Sequence, residues 1–180
     1  TADIAPVDKN MYALRDVTGS TESLPLIASS IMSKKIAENP RNGLVLDVKT
    51  GSGAFLQSFD DSVKLAEAMV AAGNGAGIPT VALLTSMDEP LGRTVGNWLE
   101  TAEAVRLCAG FVGDAPDVAE LACHQAAWML HLAGHEAAPS PEAAVSAVRR
   151  RLESGGALPH FRAMVAAQGG DPSLVDAAAE

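Results

Sequence analysis

Arg15, Ser30 and Lys34 place a guanidinium, a hydroxyl and an ammonium in one short stretch, YALRDVTGSTESLPLIASSIMSKKIAE from Tyr12 to Glu38. Ser30 and Lys34 are four positions apart, a spacing that stacks two side chains on one face of a helix. Arg15 stands just before a turn that leads into the same helix. Three polar donors, two of them cationic, can therefore converge on one small site. The competing reading is a solvated helix face with a surface arginine beside it.

The elements that must position these groups are legible in the same stretch. A short extended lead-in ends in a Gly/Ser/Thr-rich turn from Asp16 to Ser23. Ser23 or Thr21 can act as N-cap, because a hydroxyl there accepts from the first free backbone N–H groups. Pro25 suits the first helical turn, where its missing N–H would have had no partner. Leu26, Ile27, Ile31 and Ile36 recur at helical spacing and predict an amphipathic helix to about Glu38. Asn39 to Gly43 punctuates it. GLVLDV, from Gly43 to Val48, reads as a strand buried on both faces, as in a parallel sheet. The glycine-rich KTGSGAF, from Lys49 to Phe55, follows at the strand's C-terminal end, where open α/β sheets bind ligands.

Asp60 or Asp61 is expected to cap a second helix, from Ser62 to Gly73, closed by Gly73, Gly75 and Gly77. PTVALL, from Pro79 to Leu84, is a second buried strand. Strand, helix and strand make a βαβ unit with an expected right-handed crossover. A loop from Thr85 to Arg93 precedes a helix over Asn97 to Cys108. Further helices are expected over Val118–Leu132, from Ser140 or Pro141 to Ser154, over Pro159–Gln168 and over Asp171–Glu180. The predicted class is α/β, part of a mostly parallel sheet flanked by helices with a helical C-terminal tail, all in one domain.

The 180 residues suffice for one domain with a sizeable core. A hydrophobic share of 48% with 19% charged residues excludes a disordered chain, and only 4% aromatics leave Ala, Val, Leu and Ile to build the core. A net charge of −9 argues against a nucleic-acid surface, which needs a clustered positive field. No apolar run is long enough to span a bilayer. Two cysteines, Cys108 and Cys123, make no disulfide framework, which favours reduced thiols inside a cell.

The remaining reactive residues carry weaker signals. The Lys49–Gly53 loop lacks the Gly-Lys-Ser/Thr ending of a phosphate loop and the spacing of a dinucleotide fingerprint. His131 and His135 have helical metal-ligand spacing, but no HExxH glutamate accompanies them and Gly134 interrupts the pattern. They are expected to be structural, and the cysteines to be inert.

ALRDVTGSTESLPLIASSIMSKK closely resembles the pyrimidine-binding segment of the pyrimidine nucleoside phosphorylases, the thymidine phosphorylase family. DVKTGSGAF and PLGRTVGNWLETAEAV match two further stretches of that family. The likeness runs from about Thr1 to Gly110 and is weaker through the helical tail. It implies cleavage of thymidine or uridine by inorganic phosphate, giving free base and a pentose 1-phosphate. Arg15, Ser30 and Lys34 match the base-binding residues, with Arg15 and Lys34 in catalytic roles, and Phe55 would lie beside the bound base. The carbonyls of Leu91 and Thr94 and the carboxylate of Glu103 match ligands of a monovalent cation such as K+. No organic cofactor is implied; phosphate is the co-substrate. The partners expected are a pyrimidine nucleoside and phosphate, with neither nucleic acid nor membrane, and a homodimer for the full-length enzyme. A cytoplasmic location, or an organelle stroma, is expected.

The resemblance also implies that residues 1–180 are part of the central α/β domain of a larger enzyme. The phosphate-binding and dimerisation segment, the remaining cation ligands and the C-terminal domain would then lie outside them. Two other readings stand beside this one. One is a non-catalytic homologue serving as a structural subunit or base-binding module. The other keeps the fold but changes the reaction, since anthranilate phosphoribosyltransferases resemble the family in architecture. The expected outcome for the 180 residues alone is no phosphorolysis of thymidine or uridine. Turnover by the purified chain in phosphate buffer would overturn it.

Overall fold

A computed structural model describes residues 9–10, 13–14, 17–19, 23–38, 40 and 42–179. The chain divides into two compact units, Thr1–Glu89 and Pro90–Glu180. In the first, α1 (Leu24–Ala37) is followed by β1 (Leu44–Thr50), α2 (Phe59–Gly75) and β2 (Thr80–Ser86). In the second, α3 (Asn97–Cys108), α4 (Pro116–Leu132), α5 (Pro141–Glu153), α6 (Leu158–Ala167) and α7 (Ser173–Ala179) are all helical. The mixed α/β class expected from sequence is the one observed.

β1 and β2 pair in parallel, from Leu44 opposite Thr80 to Thr50 opposite Ser86. Two parallel strands alone are marginal in water and need a packed face. α1 and α2 supply it. Ala28 and Met32 from α1, Leu65, Ala66 and Met69 from α2, and Leu46 and Val48 from β1 form one buried cluster. Met32 is 1% exposed. Burial of a methionine side chain contributes roughly 1.5–3 kcal/mol.

Several local expectations are corrected. Ala13 and Leu14 are helical, not extended, and Val17 and Thr18, expected in the turn, are helical too. The Thr18 hydroxyl donates to the Leu14 carbonyl at 2.8 Å, a bond that helical geometry makes available. Ser23 occupies the N-cap position of α1 with extended dihedrals, but its side chain makes no capping bond; Thr21 lies outside the described residues. Inward-facing Ala28 and Met32 centre the buried face, while Ile27, Ile31 and Ile36 are only partly buried. Strand β1 is not covered on both faces: Leu46 and Val48 are buried and Asp47 between them is exposed. Both strands run two residues past their apolar runs, because pairing continues through Lys49–Thr85 and Thr50–Ser86. Helix α2 starts earlier than expected, with Ser58 as its cap; the Asp61 N–H donates to the Ser58 hydroxyl at 3.4 Å. Asp60 and Asp61 occupy its first turn, where negative charge suits the dipole.

Gly73 does not close α2 but lies buried within it. A Cβ there would collide with the Thr80 hydroxyl and come to 3.1 Å from Met32 Cε. Helix and strand approach so closely that only hydrogen fits. The chain turns just after, at Gly77 with φ +78°. Asn74 helps seat β2 by accepting the Thr80 N–H at 3.0 Å.

The second unit has cores of small side chains. Leu107, Ala115 and Ala119 form one, and Ala127, Ala138 and Ala144 another, where α4 packs on α5. Ser140 caps α5, accepting from the Ala143 N–H at 3.3 Å. No helix among the described residues is long and apolar enough to cross a membrane.

Gly73→Ala is expected to destabilise the chain by about 1–3 kcal/mol through overpacking, although alanine is the better helix former. The midpoint of urea unfolding measures this; an unchanged or raised midpoint would show that the approach is slack.

Candidate functional site

α1 presents one face, from Leu26 to Lys34, to a cavity of about 450 Å³ in the first unit. Ser30 and Lys34 line it together, with Ile27 and Ile31 beside them and Phe55 from the glycine-rich loop. The Lys34 ammonium donates to Ser30 Oγ at 3.2 Å. Ser30 is 7% exposed, so this pair is not a solvated helix face. Burial of a hydroxyl without a partner is costly, and Lys34 supplies the partner. Phe55 is 65% exposed although apolar, an arrangement that leaves a flat ring available to a ligand. Arg15 lies outside the described residues.

The cavity also reaches the end of β1. The Lys49 ammonium donates to Asp47 Oδ2 at 2.8 Å and to Thr85 Oγ1 at 2.9 Å. Thr85 in turn donates to Asp47 Oδ1 at 2.5 Å, so the three groups tie β1 to β2. Asp47 and Lys49 both contribute to the cavity wall. An apolar cavity with one cationic, hydroxyl-bearing side suits a planar ring whose polar edge accepts hydrogen bonds.

The glycine-rich loop is held by the segment after β2. Asp88 Oδ1 accepts the Ser52 N–H at 2.8 Å, and Asp88 Oδ2 accepts the Ser86 hydroxyl at 2.8 Å. The Gly53 N–H donates to the Met87 carbonyl at 3.0 Å. At Gly51, φ is +103° and a Cβ would overlap the Asp88 carboxylate. The glycines thus serve close approach to this clasp, which positions Phe55 two residues on. Asp88 was not singled out from sequence. Its signal is faint: one carboxylate just past a strand end, 36 residues from the amide it holds.

In the second unit, the Glu103 carboxylate reaches back from α3 to the loop that carries Leu91 and Thr94. Glu103 Oε1 accepts the Arg93 N–H at 2.9 Å. Gly92, at φ +87°, lies so close to Glu103 Oε2 that a Cβ would collide with it. Thr94 Oγ1 is buried and finds no hydrogen-bond partner among the described residues.

The two histidines at helical spacing each engage backbone through Nδ1. His131 Nδ1 lies 3.0 Å from the Ala138 carbonyl, and His135 Nδ1 accepts the Ala137 N–H at 3.1 Å. Those ring nitrogens serve backbone turns, and the described residues contain no cluster of three His, Cys, Asp or Glu side chains suited to a metal. Burial pushes both thiols up, Cys108 and Cys123, away from the reactive thiolate.

The Ser52 N–H, and next the Ser86 hydroxyl, hold the Asp88 carboxyl below the ordinary carboxylate range. A depressed carboxyl stabilises the folded chain above the usual Asp pKa of about 3.9, and that contribution is lost as pH falls through the lowered value. The melting-temperature gap between wild type and Asp88→Ala is therefore expected to narrow below about pH 4. Melts at a series of pH values measure it, and a gap independent of pH would refute the clasp's electrostatic role.

No family model matches the chain. Individual curated proteins do. A thymidine phosphorylase of Mycobacterium tuberculosis is 54% identical over 171 residues, covering 94% of this chain and 37% of that protein. A pyrimidine-nucleoside phosphorylase of Staphylococcus epidermidis is 46% identical over 177 residues, covering 98% of this chain and 40% of that protein. One from Staphylococcus haemolyticus is 45% identical over 177 residues, with the same shares. The chain thus spans about two fifths of the length of the curated relatives it matches. At this identity over nearly all of its residues, the chain belongs to the thymidine and pyrimidine-nucleoside phosphorylase family.

Proposed function

We propose that the cavity under α1 is the base-binding side of a pyrimidine nucleoside phosphorylase site. The observation that carries this is the buried Ser30 hydroxyl, bonded to the half-buried Lys34 and opening on an apolar cavity that Phe55 also lines. The reaction transfers a pentose from thymidine or uridine to inorganic phosphate. A phosphate oxygen bonds to the anomeric carbon as the carbon–nitrogen bond breaks, and the electron pair leaves with the pyrimidine. Negative charge grows on the ring nitrogen and carbonyl oxygens of that base. The Lys34 ammonium and the Arg15 guanidinium supply donors to this charge, and they stabilise it more in the transition state than in the ground state. Arg15 offers a planar fork and Lys34 a point charge. Ser30 orients Lys34 and donates to a carbonyl of the base, and Phe55 packs against the ring.

A monovalent cation such as K+ is part of the same reading, held by the carbonyls of Leu91 and Thr94 and the carboxylate of Glu103. Its fit is supported by the chemistry of the donor set, all oxygen, and by the buried Thr94 hydroxyl, which has no partner among the described residues. The ion would add structural rigidity to the loop, at a site apart from the bond that breaks. Residues 1–180 are read as part of the α/β domain of an enzyme that acts in the cytoplasm as a homodimer.

Arg15→Ala and Lys34→Met, made in the intact gene product, are each expected to lower kcat/KM for thymidine or uridine by about 10²-fold or more, with kcat carrying part of the loss. Wild-type kinetics in both variants would sink the base-site assignment. A gene product in which no phosphorolysis can be measured, but which binds pyrimidine through these residues, would favour the non-catalytic alternative.

A further inference from the structure

The loop that carries Leu91 and Thr94 is gripped by two carboxylates. Glu103 takes the Arg93 N–H, as described above. The preceding amide, of Gly92, donates to Asp117 Oδ2 at 3.0 Å. Asp117 stands in the first turn of α4, next to Pro116. Its other oxygen, Oδ1, is buried and finds no hydrogen-bond partner among the described residues. Consecutive amides are therefore pulled towards two different helices, Gly92 towards α4 and Arg93 towards α3.

The consequence is geometric. Each peptide unit is planar, so fixing an N–H fixes the carbonyl of the residue before it. The Gly92 N–H and the Leu91 carbonyl belong to one peptide plane. The bond to Asp117 therefore sets the direction of the Leu91 carbonyl, although Asp117 is 26 positions away in sequence. Glu103 does the same for the Gly92 carbonyl through the Arg93 N–H. The Gly92 φ of +87° is the backbone state that allows both bonds at once. The same Gly92 N–H holds the Asp117 carboxyl below the ordinary carboxylate range, and Arg93 adds to the effect, so the clamp is ionised at neutral pH.

We infer that Asp117 is a positioning residue for the monovalent cation, aiming the Leu91 carbonyl by holding the Gly92 N–H. It acts on the ion through the backbone and is not a ligand. The inference rests on the cation reading given above, and the test separates the two.

The intact gene product is melted across a titration of KCl, with choline chloride keeping ionic strength constant. The comparison covers wild type, Asp117→Ala, which has no acceptor for Gly92, and Asp117→Asn, whose carbonyl oxygen still accepts that bond. Wild type is expected to gain melting temperature with K+ at a defined half-saturation. Asp117→Ala is expected to need at least about tenfold more K+, the usual cost of losing an outer-shell partner, and Asp117→Asn to stay within about threefold of wild type. Asp117→Ser, too short to reach Gly92, replaces the alanine variant if that one does not fold. Half-saturation in Asp117→Ala or Asp117→Ser equal to wild type would overturn the positioning role. So would Asn and Ala variants equally impaired, since charge rather than the bond would then matter. A wild type that gains nothing from K+ beyond choline would instead overturn the cation reading itself.

Discussion

The seat of Met32 governs the first unit. Its side chain is buried against Gly73 of α2, where a Cβ would meet both Met32 Cε and the Thr80 side chain of β2. Close packing leaves α1 little freedom to roll about its axis. A roll would expose Met32 and Ala28 and swing Ser30 and Lys34 off the cavity. The chemistry of α1 thus depends on an apolar contact that has no part in it. Two parallel strands with one covered face offer few other restraints, so this contact carries more weight than it would in a large sheet.

Carboxylates acting on backbone amides are the second recurring device. Asp88 holds Ser52, Glu103 holds Arg93 and Asp117 holds Gly92. A charged acceptor makes a stronger bond than a neutral one and selects a single loop conformation. In two of these cases a glycine with positive φ brings the backbone against the carboxylate. Part of the net charge of −9 therefore serves loop geometry, through carboxylates that are exposed or half-buried.

Much of the architecture was legible because it follows from local chemistry. Helical spacing, Pro25, the apolar runs from Gly43 and Pro79, and the glycine punctuation located the elements to within a few residues. The errors have physical causes. Lys49, Thr50, Thr85 and Ser86 read as loop because they are polar, yet strand pairing needs only backbone groups. Asp60 and Asp61 looked like caps because carboxylates cap well, yet the helix starts at Phe59 and Ser58 takes the free amide of Asp61. Gly73 looked like a terminator because an isolated glycine carries no mark of what lies across from it.

By itself the sequence determined the class of the fold, the pairing of Ser30 with Lys34 on one helix turn, and the family. Those depend on spacing along the chain and on strings long enough to be specific. Only the tertiary structure decided that Ser30 is buried and Lys34 half-buried, against a cavity and not on a solvated face. It also brought Phe55 to the same cavity and recruited Asp88 and Asp117, 36 and 25 residues from the amides they hold. Contacts at such separations are set by how elements pack, and no periodicity in the chain encodes them.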